Sequence, residues 1–104
     1  MAETNPMDVF SKEAPEVAAA FSGLIQSLVR SPGLDEKTKH LVYLVIKAAA
    51  GDAGAVRYHV PMALQLGATR DEIKDVILLT LTTSGVRGVV TCLPLAMDLC
   101  DQAR

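Results

Sequence analysis

Apolar residues recur along most of this chain at helical intervals. Val17, Phe21, Leu24, Ile25, Leu28 and Val29 are spaced to line one helix face. Pro15 stands near the start of that segment, where a missing N–H costs nothing, and Ser31-Pro32-Gly33 ends it. The ten residues before it read as a short lead-in with one turn of helix after Pro6. A second helix is expected over 36–50, with Asp35 as N-cap and Gly51 as the stop. Its inner stretch, Leu41-Val42-Tyr43-Leu44-Val45-Ile46, is apolar all round and rich in β-branched residues. A buried strand is the rival there, but the distance from cap to glycine favours a helix.

A third helix is expected over 53–66, kinked or loosened by Pro61. The clearest local signal follows it. Gly67 stops one helix, and Thr69 with Glu72 forms a capping box that opens the next. That helix runs to about residue 84, with Gly85 as its stop, and its second half carries no charge. A last helix covers 87–103, bent near Pro94. The expectation is one all-α domain over 1–104, a compact bundle of five to six helices.

Composition adds a constraint. Half of the 104 residues are hydrophobic, yet only 4% are aromatic. So small a domain has too little interior for that much aliphatic surface. Two helices without a polar face cannot turn every side to their own core. They, or the last helix, are therefore expected to bury surface between subunits of a homo-oligomer. The net charge of −2, with no basic run, argues against nucleic acid. The uncharged stretch 76–86 is too short to cross a bilayer, and the polar first residues do not read as a signal peptide. The two cysteines make no disulfide framework. A soluble protein of the reducing cytoplasm is expected, with no membrane partner.

Candidate chemistry gathers in the middle. His59 can exchange a proton near neutral pH. Asp52 lies seven residues earlier, and so on one stripe with His59 if the third helix reaches back that far. A core histidine held by a backbone carbonyl is the plainer alternative. His40 and Lys47 share a stripe of the second helix by the same spacing. If the two helices form a hairpin about Gly51, His40 stands ~17 Å and His59 ~12 Å from the turn, at about 1.5 Å per residue. The four side chains could then line one groove. Alternatively, Lys47 and Asp52 make an ordinary ion pair and His40 faces water, or two His and one Asp hold a metal. Arg57, two residues before His59, points away from it on an ideal helix and could complete a neighbouring subunit's site. Arg87 could meet an anion at the start of the last helix. Cys92 and Cys100, eight residues apart, read as buried, inert thiols.

The stretch from Leu34 through Gly88 resembles the carboxymuconolactone decarboxylase family. The matching residues are Gly33-Leu34-Asp35-Glu36-Lys37, then Arg57-Tyr58-His59-Val60 with Ala63-Leu64, then Leu66-Gly67-Ala68-Thr69 with Glu72-Ile73, and Gly85. The likeness extends from about residue 10 to 97. It implies an alkylhydroperoxidase-D-like all-helical subunit that assembles as a homotrimer or homohexamer. It also implies one of two chemistries. One is the cofactor-independent decarboxylation of 4-carboxymuconolactone to 3-oxoadipate enol-lactone. The other is a thiol peroxidase or reductase using Cys-x-x-Cys before the histidine and a glutamate on the preceding helix. Here the cysteine positions correspond to Asp52 and Ala55, and the glutamate position to His40. Without a thiolate the redox chemistry has no nucleophile.

The decarboxylase chemistry needs only a proton donor and charge stabilisation. His59 would supply the proton, with Asp52 orienting it or raising its pKa. His40, Lys47 and a neighbour's Arg57 would hold a small anionic substrate, with no cofactor and no metal. A non-catalytic oligomer that binds a ligand or partner is the alternative, and a thiol peroxidase a distant third.

Overall fold

The computed structural model describes residues 5–103. Among these the only regular elements are six α-helices, in two compact units divided after Gly33.

In the first unit, α1 (Pro6–Glu13) is two turns long, twice the single turn expected. Asn5 is the reason. Its side chain accepts from the Met7 N–H at 2.9 Å while Pro6 occupies the first helical position, so a short segment gains a complete N-terminus. After Ala14, α2 (Pro15–Arg30) begins on its proline as expected. Phe10 and Phe21 meet edge to face with centroids 5.9 Å apart. Ala18 is the buried residue of α2. The six apolar residues that define its periodic face are each 42–61% exposed.

The second unit comprises α3 (Glu36–Ala49), α4 (Ala53–Gln65), α5 (Arg70–Thr83) and α6 (Arg87–Gln102). Helix α3 packs on the other three, and α6 packs on α4 and α5. Leu44, Val56, Val60, Ile73, Ile77 and Cys92 form the inaccessible centre. Each helix contributes residues at spacings of three or four: Leu41, Leu44 and Ala48 from α3, Val56, Val60 and Ala63 from α4. The Leu41–Ile46 stretch is helix, and Val42, Tyr43 and Ile46 on it remain exposed, as do Leu79 and Leu81 on α5.

Local chemistry sets the boundaries. The Asp35 carboxylate accepts from the Thr38 N–H at 2.7 Å. Thr69 and Glu72 make the reciprocal capping box. Gly51 and Gly67 take the left-handed conformation that ends α3 and α4 (φ +72° and +96°). The α4 helix runs on through Pro61 to Gln65, so the proline does not divide it. Two ion pairs tie helix ends together: Lys37 to Glu72 at 3.0 Å joins α3 to α5, and Arg70 to Asp101 at 2.9 Å joins the start of α5 to the end of α6.

The start of α6 packs closely on α3 and α5. Gly88 is buried, and a Cβ placed on it would stand 2.8 Å from both the Ala48 carbonyl oxygen and the Thr80 hydroxyl. Next to it, the Arg87 side chain lies over Gly51, where an added Cβ would come within 2.6 Å of Nε. Arg87 therefore covers the α3–α4 turn.

Candidate functional site

Helices α3 and α4 are joined by the three residues 50–52 and pack side by side. That hairpin brings His40 to His59, with ring centroids 5.8 Å apart. The helix-rise arithmetic on either side of Gly51 anticipates this pairing. Tyr43, one turn after His40, lies edge-on to His40 and tilted against His59, 5.8 Å from each imidazole. Tyr58 sets its edge against His59 at 5.2 Å while remaining 63% exposed. The two tyrosines, the only ones in the sequence and both flanking the expected site, complete a four-ring cluster. The spacing from His40 to Tyr43 was the available signal for one of them, since residues three apart share a helix face.

Both histidines are half-buried, and the Nδ1 atoms of both are buried without a hydrogen-bond partner. The expected alternative of a histidine satisfied at Nδ1 by a backbone carbonyl is therefore not what the structure contains. Unsatisfied buried polar atoms are uncommon and costly. Burial holds the His59 imidazole below its ordinary pKa, and the fields of His40 and Lys47 push the same way. Asp52 pulls upward, more weakly.

Asp52 itself differs from the sequence expectation. It lies outside α4 as its N-cap, and its carboxylate accepts from the Ala55 N–H at 3.0 Å. It reaches His59 through its field and makes no hydrogen bond to the unpartnered Nδ1. The net effect on His59 is a lowered pKa, opposite to the raised value expected from Asp52. The cap competes for the carboxylate because the first N–H groups of a helix lack partners of their own. Lys47 is exposed and makes no ion pair among the described residues, so the Lys47–Asp52 salt bridge weighed from sequence does not form. Arg57 is exposed and is not among the charges that act on His59. The structure thus groups His40 and His59, with Lys47 and Asp52 in electrostatic range.

Among the described residues no group of three His, Cys, Asp or Glu side chains could hold a metal ion. Cys92 and Cys100 are buried in α6, and burial pushes both thiols above their ordinary pKa. Among the described residues no helix is long and apolar enough to cross a membrane.

Residues 15–98 match the carboxymuconolactone decarboxylase family. The chain belongs to that family. Over 96% of its length it is 33% identical to the whole of an uncharacterized protein from Methanocaldococcus jannaschii. Its fold matches a crystal structure from Burkholderia xenovorans LB400, of a protein provisionally named a carboxymuconolactone decarboxylase. The TM-score is 0.88 at 22% identity, over 97% of this chain and 79% of the other. As a carboxymuconolactone decarboxylase family member, the chain carries no sulfur at Asp52 or Ala55, beside the conspicuous histidine.

Proposed function

We propose that this chain is a cofactor-independent carboxy-lyase that acts by acid–base chemistry on a small anionic lactone of the 4-carboxymuconolactone type. One observation carries the reading: a half-buried imidazole, His59, faces a second imidazole with its Nδ1 unpartnered. Family membership supports the reaction class.

In this reaction the bond from ring carbon to carboxylate breaks and CO₂ leaves. Its electron pair spreads onto the lactone carbonyl. A protonated His59 then delivers its proton to carbon, and water restores it. Lys47 and His40 supply positive charge and N–H donors for the substrate carboxylates and the developing enolate. Asp52 acts as a positioning residue, through its field and by capping the helix that carries His59. Tyr43 and Tyr58 wall the imidazole and limit water around it.

The reading includes a homo-oligomer, a trimer or hexamer, in which Arg57 of one subunit faces the site of the next. The apolar residues that α3 and α5 leave exposed, Val42, Ile46, Leu79 and Leu81, support it. A second reading, a family member that binds a lactone without turning it over, draws on Asp52, whose carboxylate already has a structural task.

The test is His59→Gln, assayed by CO₂ release and loss of lactone absorbance. Loss of a general acid should slow turnover by about 10²–10⁴-fold. A wild-type protein that binds the lactone and releases no CO₂ would select the second reading.

A further inference from the structure

The two unpartnered Nδ1 atoms lie on facing rings from different helices. Each neutral imidazole carries one N–H and one bare nitrogen. With both rings neutral, neither buried Nδ1 is satisfied, whichever tautomer is present. With both charged, like charges would oppose each other across 5.8 Å. A carboxylate set between them resolves both problems, since each of its oxygens can accept an N–H and its charge offsets the added proton.

We propose that His40 and His59 form a clamp that takes up a small carboxylate together with one proton, held on His59. The inference rests on the reading that this site receives an anionic organic substrate. It adds that substrate and catalytic proton arrive together. The surroundings set the direction of the coupling. From α3, His40, Tyr43 and Lys47 face His59; from α4 and its cap, Tyr58 and Asp52 do. Behind them α6 brings Cys92, whose thiol is kept protonated by burial, close to the field of Asp52. Neither α5 nor α6 adds a charge that acts on His59. In the free protein, burial and the fields of His40 and Lys47 therefore hold His59 below its ordinary pKa. A bound carboxylate opposes that field, so the free protein disfavours the proton that the reaction needs and the substrate itself restores it.

The experiment is NMR titration of the full chain, which has only two histidines. The probe is (5-oxotetrahydrofuran-2-yl)acetate, a saturated lactone acid without the labile ring carboxyl group. His40→Gln leaves one imidazole resonance and so assigns His59. The expected result is a His59 midpoint at least one pH unit higher in the saturated wild-type complex. By linkage, probe affinity then falls by up to about tenfold per pH unit between the midpoint of the free protein and that of the complex. A smaller rise is expected in His40→Gln. Binding with an unmoved or lowered His59 midpoint overturns the clamp, as does failure to bind at millimolar probe.

The outcomes also separate the two proposals. A rise in midpoint with no CO₂ release from 4-carboxymuconolactone keeps the clamp and defeats the lyase. CO₂ release with an unmoved midpoint does the reverse.

Discussion

Replacing Gly88 by alanine tests the close packing at the start of α6. The new methyl would stand 2.8 Å from the Ala48 carbonyl oxygen, 3.2 Å from its carbon and 2.8 Å from the Thr80 hydroxyl. None of these can move alone. The carbonyl belongs to the last turn of α3, and the Thr80 hydroxyl is buried and donates to the Ile77 carbonyl at 2.7 Å. Overpacking of this kind costs about 1–3 kcal/mol. Exchanging glycine for alanine in a helix returns at most about 1 kcal/mol, and less so near an end. The net expectation is a loss of about 1–2 kcal/mol. At roughly 4–8 °C per kcal/mol for a domain of this size, Tm should fall by about 4–16 °C. Gly54→Ala is the control within the same unit, since its methyl would meet only the Asp52 carboxylate, at 3.6 Å. It should be neutral or slightly stabilising. Thermal and urea unfolding followed by circular dichroism, at one protein concentration, measure both. A Gly88→Ala midpoint equal to or above wild type would refute the packing argument.

Two further outcomes follow from the ionisable groups. Because the native His59 imidazole protonates less readily than an unfolded one, the unfolded chain takes up that proton first as pH falls. The contribution of neutral His59 is intact above about pH 6.5 and drains away below it, toward the lowered native value. Between pH 7.5 and 5, wild type should therefore lose more Tm than His59→Gln, and parallel pH profiles would sink that account. Burial keeps both thiols protonated at neutral pH, so an aromatic disulfide reagent should label native Cys92 and Cys100 only as fast as the protein opens, and at once in denaturant. Prompt stoichiometric labelling of the native protein would contradict it.

The fold was legible wherever the signal is local. Asp35 before Thr38, Thr69 before Glu72, and glycines at 51 and 67 mark boundaries because each acts within a few residues, and the structure has them doing so. The apposition of His40 and His59 was legible too, since it follows from helix rise and one short turn. Asp52 was harder. Its spacing from His59 fits a shared helix face, but one unsatisfied N–H at Ala55 outweighs that geometry. The convergence of Tyr43 and Tyr58 on one imidazole depends on how two helices are rotated against each other, which hydrophobic periodicity does not specify. Periodicity likewise marked the apolar face of α2 without saying what would cover it.

The brevity of the α3–α4 turn makes the histidine pair a matter of counting. Residues 50–52 are the whole connection, with Gly51 pinned in its left-handed conformation beneath Arg87. One extra residue within α4, between the turn and His59, would turn His59 by about 100° about the helix axis and carry it away from His40. The helices themselves could absorb many substitutions, but not a change in the count of residues between the turn and His59. That count acts as a gauge, and its most telling variants would be insertions and deletions.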